Sequence, residues 1–367
     1  MERSGCDLNY LTKQFGSSTV CVQYQNIEQE CCTPQYKTMK FSELIAYIVA
    51  SNLSSVCDEN QDAPQTLALY AKDWHFQAEY LGYNAYQCPL YFQSDWLNEY
   101  FDNKRDNVQQ DYRFLYIGTK GSWTSLHADV FRSFSWSTNI VGRKLWYLVR
   151  PGFETQLPSC TSDIRTVPDE TLLQLNVIKY VQELGETIFV PSGWYHQVHN
   201  LDPIVVSINH NWLNATNVVN TLTYLKSLLQ QVEREIADCR NIIEPQEWIS
   251  QCQLILKTDA GMDLPEFRKF LNFVLSSRQG ETVDFEKVEE EFLNKICRDF
   301  KNCSVCNNTI ENCDKSAECI SHLEVKLLEQ CICNRMDGKM CLPCHQFLVF
   351  FDMVVVNKLI TELDENL

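Results

Sequence analysis

The sequence predicts a mainly antiparallel β core followed by a helical C-terminal region. Between residues 96 and 216, aromatic and β-branched runs recur between turns marked by glycine and proline, the pattern of many short strands in a sandwich or barrel. From residue 217 to 367 the periodicity becomes helical, with Leu222, Leu225, Leu228 and Val232 along one stripe. A mixed segment, residues 1–95, precedes the core. At 367 residues the chain has room for two or three packed units of about 150 residues each.

Taken in order, Leu44, Ile45, Ile48 and Val49 fall at helical spacing and predict a helix over 41–53. Core strands are expected at 112–117, 145–149, 187–190 and 204–212. Turns are expected at Gly118, Gly121, Gly142, Pro151, Gly185 and Pro191-Ser192-Gly193. Helices over 219–239, 265–275 and 285–296 follow; Pro265 suits a first turn, where a missing N–H costs nothing. The Glu289-Glu290-Glu291 run reads as a solvated helix face.

Composition excludes several classes. Hydrophobic residues at 45% and charged residues at 22% are globular values. A net charge of −17 opposes nucleic-acid binding, which needs a basic face. It suits a cationic partner, whose encounter rate a negative field raises, and it equally serves solubility. Residues 1–13 carry Glu2, Arg3 and Asp7 without an apolar stretch, so no secretory signal is expected. No membrane helix is expected either: the run 347–356 is interrupted by Asp352 and falls well short of about 20 residues. Eighteen cysteines without a signal point to reduced thiols in the cytoplasm, or in the nucleus.

A His-x-acid pair is expected about once by chance and occurs twice, at His127-Ala128-Asp129 and His322-Leu323-Glu324. Around His322 the composition is helical, where positions two apart diverge. In the β region they share a strand face. His127 and Asp129 would then supply two of the three ligands of a facial triad, which leaves open positions on non-haem Fe(II). The third would come from the strand–turn–strand segment 185–200, which holds His196 and His199. These lie three apart and face opposite ways in a regular strand, so one of them joins; satisfied core histidines are the plain alternative. Lys144 shares a strand face with Trp146 and Leu148, which should be buried. An unpaired ammonium there costs several kcal/mol, so it needs an anion. Either a protein carboxylate or a carboxylate ligand entering the barrel would serve, such as the distal end of 2-oxoglutarate.

The longest informative stretch is Gly121-Ser122-Trp123-Thr124-Ser125-Leu126-His127-Ala128-Asp129-Val130-Phe131-Arg132-Ser133-Phe134-Ser135-Trp136-Ser137. With Lys72-Asp73-Trp74-His75, Ser94-Asp95-Trp96-Leu97-Asn98, Asp111-Tyr112-Arg113-Phe114, Gly142-Arg143-Lys144 and Val190-Pro191-Ser192-Gly193-Trp194-Tyr195-His196, it resembles the Jumonji-C (JmjC) family of Fe(II)- and 2-oxoglutarate-dependent oxygenases over about residues 70–215. The resemblance implies a double-stranded β-helix (jelly roll, cupin) with flanking helices. It implies iron held by His127, Asp129 and His196, the last chosen over His199 as the first histidine after the Trp-aromatic pair. It gives Lys144 the far carboxylate of 2-oxoglutarate and places Thr124 and Asn209 near the same cosubstrate. Thr124 and His127 differ in strand parity, so a bulge or a strand end is expected between them. Ser137 stands where some relatives carry Asn, with Asn139 a candidate replacement from the same face.

The implied activity is that of a 2-oxoglutarate-dependent dioxygenase using O2 to hydroxylate a protein lysine. In the branch most resembled, that lysine lies on a translation termination factor. The alternatives are a JmjC histone lysine demethylase and a catalytically inactive JmjC binding scaffold. The sequence shows no chromatin-reading module or basic import run, which weighs against the first; the presence of all three ligands and Lys144 weighs against the second.

Nine of the 18 cysteines lie from Cys297 onward. Cys303-x-x-Cys306 and Cys341-x-x-Cys344-His345 have the spacing of structural zinc knuckles. The interval between them exceeds a zinc ribbon's, and buried thiols packing as small hydrophobes are the favoured reading.

Overall fold

Side-chain alternation along the central strands sets the architecture. On β7 (Lys144–Val149), Trp146 is buried with Val190 and Val198, and Leu148, Ile188 and Trp194 pack against them. The alternate residues Tyr147 and Val149 pack the opposite way, onto Ile164, Val167 and Leu175, with Leu126 and Leu145 against them. This sheet is therefore covered on both faces, and the 153–177 segment supplies the outer cover. The computed structural model describes residues 7–26, 35–54, 67–104, 111–158, 161–279 and 342–364.

The other strands among these residues are β1 (Thr19–Asn26), β2 (Gln35–Lys40), β3 (Leu67–Trp74), β4 (Arg113–Gly118), β5 (Trp123–His127), β6 (Phe134–Val141), β8 (Ile178–Gln182), β9 (Thr187–Val190), β10 (Tyr195–Asn200) and β11 (Val205–Trp212). They form a seven-stranded sheet, ordered β2-β1-β3-β4-β11-β6-β9, and a four-stranded sheet, ordered β5-β10-β7-β8. The pairings with a defined register are antiparallel. From β4 to β11 the chain passes repeatedly between the sheets, and this winding is the double-stranded β-helix expected from the sequence. Gly142 makes the β6–β7 turn at φ +72°, and a Cβ there would sit 2.5 Å from the Ile204 carbonyl oxygen, so no side chain fits.

Strands β1–β3 extend the larger sheet. Over them packs the helix Phe41–Ser54, whose Phe41, Leu44, Ile45 and Ile48 are buried with Val20, Val22, Leu69 and Ile117. Val49, counted in the apolar stripe, is instead exposed.

The chain divides into two compact units, one of Met1–Tyr83, Asn107–Asp129 and Phe134–Asn211, the other of Asn84–Asp106, Val130–Ser133 and Trp212–Leu367. The second unit is helical. The expected helices at 219–239 and 265–275 are Val218–Glu235 and Leu264–Gln279. Pro245–Ala260 is a further helix, which buries Trp248, Cys252, Leu256 and Ala260 at four-residue intervals. Exposed Ile249 and Leu254 blur its periodicity in the sequence. In the helix Leu342–Asp364, Asp352 is buried and accepts hydrogen bonds from Arg278 (2.9 Å) and Trp96 (3.1 Å). Arg278 also pairs with Glu99 at 2.8 Å. No helix among the described residues is long and apolar enough to cross a membrane. The helix expected at 285–296, His322, and the side chains of Cys303, Cys306, Cys341, Cys344 and His345 lie outside the described residues.

Candidate metal centre

Strands β5 and β10 pair so that His127 and His196 stand directly opposite. Their rings lie 4.4 Å apart between centroids. With Asp129 they bring three ligand-type atoms within 4.8 Å of one another. His127 Nδ1 is 2.7 Å from the Ser125 carbonyl oxygen, and His196 Nδ1 is 3.3 Å from that of Trp194. A carbonyl only accepts, so each Nδ1 carries a proton, and the neutral tautomer this selects has its lone pair on Nε2. Burial, then the neighbouring His127, push His196 down to about pKa 4, so it is neutral and ligand-competent at physiological pH. Trp146 stacks on it at 5.7 Å.

Asp129 reaches this cluster by a different route from the one its spacing suggests. Strand β5 ends at His127, so the shared-face argument for His127 and Asp129 does not apply. The carboxylate is held instead by two neutral donors: Ser135 Oγ donates to Oδ2 at 2.7 Å and Asn211 Nδ2 donates to Oδ1 at 2.8 Å.

His199 lies elsewhere. It stacks on Trp123 at 5.7 Å and contacts Gln197, and burial, then Arg165, hold it near pKa 4. Of the two expected alternatives the bulge is the one present: Ser125 and Leu126 face a single residue, Gln197, between the pairs His127–His196 and Thr124–Val198. The extra residue turns Thr124 and His127 to the same side. Thr124 Oγ1 accepts from the Val198 N–H at 3.2 Å.

Thr124, His127, Asp129, His196, Lys144 and Asn209 all line one cavity. Lys144 is 2% exposed. Its Nζ donates to Ser207 Oγ at 2.5 Å and lies 5.7 Å from the Tyr116 ring centroid. Among the described residues no carboxylate pairs with it, and burial lowers it to about pKa 7. Ser137 Oγ, buried in the same wall, has no hydrogen-bond partner there. A buried ammonium beside an unsatisfied hydroxyl fits an incoming carboxylate, so the donor set suits both a divalent metal and an anionic ligand. Asn209 donates to Ser207 Oγ at 3.0 Å and so props the lysine's partner. Asn139 does not replace Ser137, because its amide is spent on the carbonyls of Gly142 and Gln182.

Sequence reasoning passed over Ser135, Asn211, Ser207 and Tyr116. The first three had a signal: Ser135 lies two positions from Ser137, and Ser207 and Asn211 two from Asn209, so each shares a strand face with a residue already singled out. Tyr116 had none; its ring is steered by a hydrogen bond to Asp73, at 2.7 Å, from a residue at φ +59°.

This geometry agrees with what the chain is similar to. Residues 114–212 match the family model described as JmjC domain, hydroxylase, and this match supports the resemblance to the JmjC oxygenases. It is 40% identical over 283 residues to the 2-oxoglutarate and iron-dependent oxygenase JMJD4 of Danio rerio, and 38% identical over 283 residues to that of Gallus gallus. Each match covers 74% of this chain and 64% of the relative. It is also 38% identical over 292 residues to the arginine-specific demethylase JMJ20 of Arabidopsis thaliana, covering 74% of this chain and 60% of that protein. The chain thus spans less than two thirds of the length of these relatives.

Proposed function

We propose that the protein is an Fe(II)- and 2-oxoglutarate-dependent dioxygenase that hydroxylates a lysine side chain on a protein. The observation that carries this reading is the trio His127, Asp129 and His196 lining the same cavity as a buried lysine that lacks a protein carboxylate. In this reading the two Nε2 atoms and an Asp129 oxygen would hold the metal. Lys144, Ser207 and Ser137 receive the distal carboxylate of the cosubstrate, with Thr124 and Asn209 beside it. When bound, iron supplies the oxidation: O2 and 2-oxoglutarate become succinate and CO2, and one oxygen atom enters a substrate C–H bond.

The chain's own residues position and exclude. The carbonyls of Ser125 and Trp194 fix the imidazole tautomers. Trp146 covers one face of His196. The net charge of −17 favours approach of a cationic side chain. Sequence resemblance supports a translation termination factor as the protein that bears it.

A demethylase reading has one observation in its favour, the similarity to the Arabidopsis protein of that name. Hydroxylation at an N-methyl carbon would release formaldehyde. The test is succinate release with Fe(II), 2-oxoglutarate and termination-factor peptides, unmethylated and methylated, for wild type and Asp129→Ala. The expected result is wild-type succinate with a product heavier by one oxygen and no formaldehyde. Formaldehyde with loss of a methyl group would select the demethylase. Equal background from both proteins would discard the enzyme.

A further inference from the structure

We infer that Ser135 and Asn211 are positioning residues that set the third metal ligand, doing for Asp129 what strand geometry does for the two histidines. The inference rests on the metal-binding part of the proposed function and is independent of its substrate. His127 and His196 are fixed by the β5–β10 ladder. Asp129 has no such frame: it lies past the end of β5, and the chain enters left-handed backbone at Phe131 (φ 56°) and Arg132 (φ 53°) soon after. An aspartate in a non-strand segment has several staggered χ1 wells open to it.

What selects one well is a pair of hydrogen bonds from the other sheet. Ser135 lies on β6 and Asn211 on β11, neighbours in the seven-stranded sheet, whereas both histidines lie on the four-stranded one. Each takes a different oxygen, at 2.7 and 2.8 Å. Two contacts on two oxygens fix the carboxylate's plane as well as its direction. Both donors are neutral, so the carboxylate keeps its full negative charge for a cation, which an arginine or lysine in either place would have offset. Each oxygen also retains a lone pair after accepting one bond.

Partners of this kind change metal affinity by roughly 10–100-fold when removed. The test is Mn(II) affinity of the chelator-stripped full chain, from the electron paramagnetic resonance signal of free Mn(II), with thermal unfolding of the metal-free protein alongside. Asn211→Ala and Ser135→Ala should each weaken Mn(II) binding by roughly 10–100-fold while leaving metal-free unfolding close to wild type. Ser135→Thr, which keeps the hydroxyl, should restore affinity to within a few-fold of wild type. Should Asn211→Ala fail to fold, Ser135→Ala carries the test, since it only trims a partly exposed side chain. Wild-type affinity in both alanine variants, with Asp129→Ala losing Mn(II), would overturn the positioning role and leave the metal site standing. Equal Mn(II) binding by wild type and Asp129→Ala would overturn the metal site itself, and this inference with it.

Discussion

Replacing Lys144 with methionine should stabilise the ligand-free protein near neutral pH while abolishing its affinity for 2-oxoglutarate. The side chain is 2% exposed, its Nζ donates only to Ser207 Oγ among described residues, and burial lowers its pKa from 10.5 to about 7. At about 1.4 kcal/mol per pKa unit, that depression corresponds to about 5 kcal/mol. The sign follows from proton counting. The unfolded chain holds the proton up to its pKa of 10.5 and the folded chain only to about 7. Between these values the unfolded state binds more protons, so stability rises with pH. The penalty is full below about pH 7 and has vanished above the unfolded value. Methionine nearly matches the lysine's length and carries no charge, so the variant escapes the penalty, while Asn209 still satisfies Ser207.

Urea unfolding should show Lys144→Met more stable than wild type by several kcal/mol near pH 6.5, the gap narrowing by about 2–3 kcal/mol near pH 9. In a thermal-shift titration, 2-oxoglutarate should raise the midpoint of wild type and leave the variant unmoved. A variant less stable than wild type by the same amount at both pH values would mean that the ammonium is already well paired in the folded protein. The case for an anion at Lys144 would then fail.

Two further substitutions address stability elsewhere. Gln197 is fully buried, accepts from the Ile164 N–H at 2.7 Å and donates to Asp163 at 2.8 Å. Gln197→Ala strands that amide and should cost about 1–3 kcal/mol, read as a lower urea midpoint at unchanged slope. Asp352→Ala leaves Glu99 as the one carboxylate paired with Arg278 among the described residues, and thermal denaturation should register a loss of about 3 kcal/mol, near the low end for a broken buried pair because one carboxylate remains.

Much of this was legible from residue pattern because the patterns had a physical cause. The strands at 145–149, 187–190 and 204–212 could be read because each alternates or runs apolar between turn residues that end it. The burial of Lys144 followed from its sharing a face with Trp146 and Leu148. Asp129 shows how a correct grouping can be reached through an incomplete mechanism. The i, i+2 rule brought it to His127, but the strand ends first, and hydrogen bonds from β6 and β11 hold it; shared strand faces could point to Ser135 and Asn211, but not to their bonds with Asp129, which span 6 and 82 residues. The pairing of β1–β3 with the core sheet was hidden for the same reason, being a contact between distant segments. The helix Pro245–Ala260 escaped because apolar residues on its exposed side erased the period.

The doubled residue opposite Gln197 makes the two faces of β5 a matter of counting. Losing either Ser125 or Leu126 would let the ladder close in regular register. Thr124 and His127 would then stand two apart and still share a face, whereas straightening the strand with both residues kept would turn one of them to the side occupied by Tyr147. Replacing either residue by another of similar size leaves the count, and hence both orientations, intact. Both side chains therefore keep their direction either with the kink that a doubled residue brings or with one residue fewer.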